Sequence, residues 1–172
     1  MPVAATARML GTAAFVGVAL IAASPSAALA KDKVINFSSG NVTMNAAIAA
    51  ARTTLPVFWS RFEARAAGDT RFSIKVKISD KGYSEHFWTS NVERDGDTIH
   101  AVIANDPNRV TTVKLGQRIK VDPADISDWM HWRSGKMHGA YTLRVMLPRL
   151  PKPQADGFRR VLAPPPSAED AE

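Results

Sequence analysis

Apolar residues recur at every second position from Phe72 to Ile78, with Arg71, Ser73, Lys75, Lys77 and Ser79 set between them. That period of two predicts a strand with one buried face and one basic, solvated face. Upstream the spacing is longer. Met44, Ala47, Ile48, Ala51 and Leu55 recur at three and four, which predicts a helix capped by Thr43. Pro56 either kinks this helix or sits in the first turn of a second one carrying Phe58, Trp59 and Phe62; Gly68-Asp69 ends the helical region. Downstream, Asp80-Lys81-Gly82 turns the chain into two strands near 84–93 and 97–104, joined at Asp95-Gly96. A loop opens at Asn105-Asp106-Pro107-Asn108. A short strand follows at 118–121, Asp122-Pro123 turns again, and a last hairpin closes around Ser134-Gly135.

Helices first and strands afterwards predict an α+β domain: an N-terminal helix, kinked or broken at Pro56, packed on an antiparallel sheet of about five strands. The domain is expected over residues 43–150, after a polar lead-in over 31–42. Beyond Leu150, the prolines Pro151, Pro153 and Pro164 to Pro166 with a Ser/Ala/acidic end predict a disordered tail over 151–172.

Turn positions convert into cross-strand neighbours. With Ser134-Gly135 as a two-residue turn, Trp132 faces Met137, Met130 faces Gly139, Asp128 faces Tyr141 and Ile126 faces Leu143 on one apolar face. The other face pairs Arg133 with Lys136, His131 with His138 and Trp129 with Ala140. Asp128 on the apolar face is either a general base whose pKa burial raises, or a carboxylate satisfied by Tyr141 and turn amides that fixes the register. His131 and His138 are candidate ligands for a metal such as zinc, which needs a third donor; His86 or His100 supplies one only if their strands lie alongside. The plainer reading is an exposed pair that repels when protonated. Trp129 beside His131, His138, Arg133 and Lys136 is either a platform for a planar ligand or a ring covered by the helix or the tail.

The Asp95-Gly96 turn places Trp88 opposite Ile103, Ser90 opposite Ala101 and Val92 opposite Ile99 as a core face. His86 then faces Asn105, and Glu85 faces Asp106. Like charges in opposition mean that pairing stops short or that a cation sits there. Glu85, His86, Asn105 and Asp106 form the chain's densest polar cluster. Adjacent Glu and His point to opposite faces of a strand, so a structural role in shaping the 105–108 loop is the reading adopted over catalysis.

Four stretches, Glu85-His86-Phe87-Trp88, Ile103-Ala104-Asn105-Asp106-Pro107, Gly116-Gln117, and D-I-S-D-W-M-H-W-R-S-G-K-M-H-G-A-Y-T-L-R-V-M-L from Asp125 to Leu147, occur in that order. On them the chain resembles the YegJ-like family of bacterial domains, from about Met44 to Leu150. The resemblance implies a fold and a setting. It implies no chemistry, because no activity is assigned to that family.

Composition narrows the setting. Arg8, an apolar run from Leu10 to Ala23, the Ser24-Pro25-Ser26 break and Ala28-Leu29-Ala30 form a signal peptide over residues 1–30, so the chain is expected in the periplasm or secreted. The run is short for a membrane span, which needs about 20 apolar residues. There is no cysteine, which removes disulfides, thiolate nucleophiles and thiolate metal sites. The net charge of +6 is read first as plain solubility and, where it serves a partner, as suiting an anionic one in the envelope rather than nucleic acid. No phosphate-binding glycine loop, H-E-x-x-H or G-x-S-x-G occurs. The expectation is therefore an exported, non-catalytic binding module with no cofactor. Its candidate binding residues are Trp129, His131, His138, Arg133, Lys136, Asn105 and Asp106. The rival is an envelope hydrolase built on Glu85, His86 and Asp128, with or without a metal.

Overall fold

Asn41 caps the first helix by accepting a hydrogen bond from Met44 N at 2.9 Å, so the helix cap lies two residues before the expected Thr43. The computed structural model describes residues 41–64 and 66–166. These belong to the unit Asp32–Glu172. The expected signal peptide, most of the lead-in and the last residues of the tail lie outside the described residues.

Helix α1 spans Val42–Thr53 and α2 spans Leu55–Ala64. Pro56 is the second residue of α2, where its missing N–H costs nothing, so the helical region is broken rather than kinked. The strands are β1 (Thr70–Asp80), β2 (Tyr83–Asp95), β3 (Thr98–Ile103), β4 (Arg118–Val121), β5 (Ile126–Arg133) and β6 (Lys136–Gly139). They form one six-stranded sheet in the order β4-β3-β2-β1-β5-β6, with every neighbouring pair antiparallel. This is the α+β arrangement expected, with one strand more.

The alternation read in β1 holds from Ile74 onward, where Ile74 and Val76 are buried and Lys77 is exposed; Ser73, expected on the solvated face, is buried with its hydroxyl donating to Thr89 O. Phe58 and Phe62 of α2 and Ala51 of α1 close over this face, joined by Ile126 and Trp129 of β5. Burial of side chains this large is worth about 2 kcal/mol each before entropy is counted.

The β2–β3 hairpin departs from the expected register. Its tip is Gly96-Asp97 rather than Asp95-Gly96, because Asp95 pairs with Thr98. A bulge at Asn91, held at φ 47, then shifts the pairing so that Thr89, not Trp88, opposes Ile103. Because side chains alternate, a one-residue slip exchanges the faces. The core side of β2 is thus Phe87 and Thr89, and the outer side carries His86 and Trp88. Pairing ends before Glu85 and Asp106 could oppose each other.

The last hairpin keeps its expected register only to Gly139. The chain then enters helix α3 (Tyr141–Met146) instead of continuing as a strand. Gly139 at φ 74 and Ala140 at φ 53 are left-handed, which no strand accommodates. The Trp129 ring and carbonyl fill the space a Cβ on Gly139 would need. After a 3-10 turn at Leu147–Arg149, helix α4 (Lys152–Val161) occupies much of the expected disordered tail. Leu162 pairs in parallel with Met137, and Ala163 N donates to Met137 O at 2.9 Å. The prolines that suggested disorder instead start α4 and form the extended strap after it.

Candidate functional site

Glu85, His86 and Asp128 each have a separate structural duty. Glu85 accepts hydrogen bonds from the backbone N–H groups of Asn108, Arg109 and Val110, so its carboxylate shapes the loop after β3. Those donors favour its charged form and hold its pKa low against the cost of burial. Asn105 extends the ladder by accepting from Trp88 N at 2.9 Å. Asp106 is exposed, and Lys136 donates to Arg160 O at 2.7 Å.

Asp128 is completely buried and accepts from Trp129 N, Tyr141 N, Thr142 N and Thr142 Oγ1. The residue before α3, Ala140, has no side chain that can cap the helix. Asp128 supplies that cap across the strand end, so the register-fixing reading describes it. Burial drives its pKa up, and the Thr142 donors oppose the rise.

His86 sits on the outer face, its Nδ1 2.7 Å from Ser127 Oγ. The Ser127 hydroxyl lies 3.1 Å from Lys75 O, a group that can only accept. Its single proton therefore goes to that carbonyl, and His86 Nδ1 must be the donor. Nucleophilic catalysis needs the reverse, with serine donating to a histidine base. Burial, then Lys75 and Lys77, push the His86 pKa down to about 4.

A different group of side chains converges on a cleft. On the helix-facing side of the sheet, Phe72, His131 and His138 form a row across β1, β5 and β6, with ring centroids 5.3 Å and 5.0 Å apart. The two histidines oppose each other as expected, but His131 is only 2% exposed, so the pair faces the helices rather than solvent. Trp129 is likewise a core residue, 1% exposed, with Nε1 donating to Ala51 O at 2.9 Å. A surface platform is not available there. Of the two alternatives for this ring, cover by the N-terminal helix is the one realised.

Arg61 of α2, Arg133, His131, His138, Trp129 and the strap Pro164–Pro166 line a cleft of about 300 Å³. Arg61 and Arg133 make no hydrogen bond or ion pair among the described residues. The Asp69 carboxylate is buried 3.8 Å from Nδ1 of His131, and among the described residues neither its oxygens nor that nitrogen has a hydrogen-bond partner. That separation is too long for a hydrogen bond. Burial, the neighbouring His138 and the two arginines outweigh Asp69 and push the His131 pKa down to about 4. His138 is lowered as well, by burial first and then by Arg133.

Sequence reasoning missed Arg61, Asp69 and the strap. Arg61 stands four residues after the buried Val57, a spacing that puts both on one helix face. Asp69 carried no comparable signal, since Gly68-Asp69 reads only as a helix end. Among the described residues no three His, Asp or Glu side chains gather as a metal site, and His100 lies on β3, three strands from β5. A second cleft of about 500 Å³ opens near Lys77, Ile119, Lys120, Asp122 and Asp125, where charges of both signs alternate.

Over 91 residues, 53% of the chain, it is 43% identical to the uncharacterized protein YegJ of Escherichia coli K12. Over 94 residues, 52% of the chain, it is 33% identical to a putative ankyrin repeat protein of Neisseria meningitidis serogroup B. These matches span 60% and 37% of the relatives' own lengths, less than two thirds in each case. No solved structure is a significant match. A family profile covers residues 41–162, from the cap of α1 to the residue that pairs with Met137. The chain therefore belongs to the DUF2314 family of uncharacterized proteins conserved in bacteria.

Proposed function

We propose that this protein is a non-catalytic binding module, exported to the cell envelope, whose cleft between α2, the β5–β6 hairpin and the strap receives an anionic oxygen group. The observation that carries this reading is the pair Arg61 and Arg133, which line one small cleft without a partner among the described residues. A guanidinium presents five donors in a planar fork that matches carboxylate or phosphate. Neighbours with opposite charge usually neutralise such groups inside a fold. Here Asp69 is buried against His131, 3.8 Å from its Nδ1, and pairs with neither arginine among the described residues. The net charge of +6 draws anions toward the site. A cleft of about 300 Å³ sits at the lower end of small-ligand sites, suited to one headgroup or one acidic side chain.

The test is a titration of the folded chain with inorganic phosphate and, separately, with a short glutamate peptide, followed by NMR. Saturable binding that Arg61→Gln and Arg133→Gln each weaken about tenfold, and that salt screens, is expected. The better of the two probes identifies the headgroup. Absence of saturation with both, or binding indifferent to both substitutions, would refute the reading. For export, fractionation of cells should recover the chain outside the cytoplasm, and removal of residues 1–30 should retain it inside.

A further inference from the structure

His131 lines the cleft and also touches a buried carboxylate. Its ring is 2% exposed, and its Nδ1 lies 3.8 Å from Asp69 Oδ1. Among the described residues, neither Asp69 oxygen has a hydrogen-bond partner, and neither has that nitrogen. Buried polar groups are nearly always satisfied, so unsatisfied atoms gathered at one spot mark a contact that another state of the protein makes. Closing the gap takes about 1 Å, because a charge-assisted N–H to carboxylate bond spans about 2.7–2.9 Å. Asp69 is already fixed close by, since its N–H donates to Ala66 O at 3.0 Å in the turn that leads into β1.

Charge holds the gap open. Arg61 of α2 and Arg133 of β5 line the same cleft, and His138 of β6 stacks on the His131 ring at 5.0 Å. Arg144 of α3 adds its field at His138. Phe72 of β1 and the prolines of the strap bring no charge. Against these cations stands Asp69. Burial, His138 and the two arginines outweigh it and keep the His131 pKa at about 4. An oxyanion between Arg61 and Arg133 cancels the arginines' share of that balance and adds its own attraction for a proton. We infer that the cleft binds an oxyanion together with a proton, which His131 takes from solvent and shares with Asp69 through Nδ1. The ring then carries a proton on each nitrogen, and no bond to the anion is made or broken. The inference rests on the anion-site reading above. Linkage is reciprocal, so a ligand that draws in a proton binds more tightly where protons are more abundant. The pKa of His131 is higher in the bound state than in the free one. Affinity is therefore lowest above the bound value and rises as pH falls through it toward 4.

The experiment titrates the full chain with inorganic sulfate, whose charge stays constant between pH 7.5 and 5. Calorimetry in two buffers of different ionisation enthalpy counts the protons taken up, and nitrogen-15 spectra of the imidazoles show which ring is charged. The wild-type chain should bind sulfate about tenfold more tightly at pH 5 than at 7.5, with net proton uptake and with His131 charged by sulfate. Asp69→Asn keeps the size of the side chain and removes its charge, so it should bind about equally at the two pH values with His131 neutral. The wild-type proton count and ring signals test the coupling without any substitution. Sulfate binding without proton uptake, with the proton on His138, or with the tenfold rise retained in Asp69→Asn would overturn the coupling and leave the anion site standing. Absence of saturable sulfate binding at either pH would overturn this inference; with phosphate and the glutamate peptide also unbound, the anion site falls too.

Discussion

Replacing His131 with Phe tests the electrostatics of the cleft directly. A phenyl ring keeps the stack between Phe72 and His138, 5.3 Å and 5.0 Å away, but cannot take a proton. The folded-state pKa of His131 is depressed from 6.5 to about 4, with burial the largest cause. Between those values the unfolded chain binds the proton and the folded chain does not. The stability contributed by the neutral ring is therefore full above 6.5 and is lost as pH falls toward 4. From pH 7.5 to 5 this group alone should cost about 2 kcal/mol. With a typical urea slope of about 1–3 kcal/mol per molar, the midpoint falls by roughly 0.7–2 M. His131→Phe should remove most of that fall. His138→Phe should remove less, because its charge is the second cause and burial remains. Asp128 and His86 also titrate, but they are common to all three proteins and cancel in the comparison. Urea midpoints at both pH values provide the assay. An equal decline in wild type and His131→Phe would refute the burial argument.

Two further substitutions test the end of the last hairpin. Asp128→Asn should cost about 3 kcal/mol by chemical denaturation, since both carboxylate oxygens accept from backbone N–H groups and the NH2 that replaces one of them can accept from none; a loss under about 1 kcal/mol would show that α3 does not depend on this cap. Gly139→Ala should cost about 2–4 kcal/mol, because its Cβ would lie 2.6 Å from Trp129 Cε3 at a left-handed φ; a midpoint within error of wild type would mean that the β6–α3 junction is not held as described.

The local signals that proved readable share one property: they depend on residues close in sequence. The alternation of β1 and the turn at Ser134-Gly135 with its pairs down to Met130 and Gly139 needed only strand geometry. At Pro56 the sequence narrowed the outcome to a kink or a second helix, and α2 starting at Leu55 realises the second. The candidate site was less legible, because its members come from α2, the segment before β1, β5, β6 and the strap. Arg61 left a weak trace in its spacing from Val57. Asp69 left none, as nothing in a turn sequence tells which buried histidine it will approach.

Register and face were decided by features that carry little sequence signature. The bulge at Asn91 exchanged the two sides of β2, and Trp88 went to the outside although hydrophobicity favoured the core. Asp128 turned the expected strand into a helix by capturing the amides of residues 141 and 142, a contact possible only once β5 is in place. Trp129 and His131 were legible as a pair of alternate positions, but which side the helices would cover was not. By itself the sequence determined the class of fold, the Ser134-Gly135 turn and the pairing near it, since backbone sterics and side-chain alternation act over a few residues. Burial of His131, the lack of a partner for Arg61 and Arg133 among the described residues, and the course of the strap depend on which distant surfaces meet, and that only packing decides.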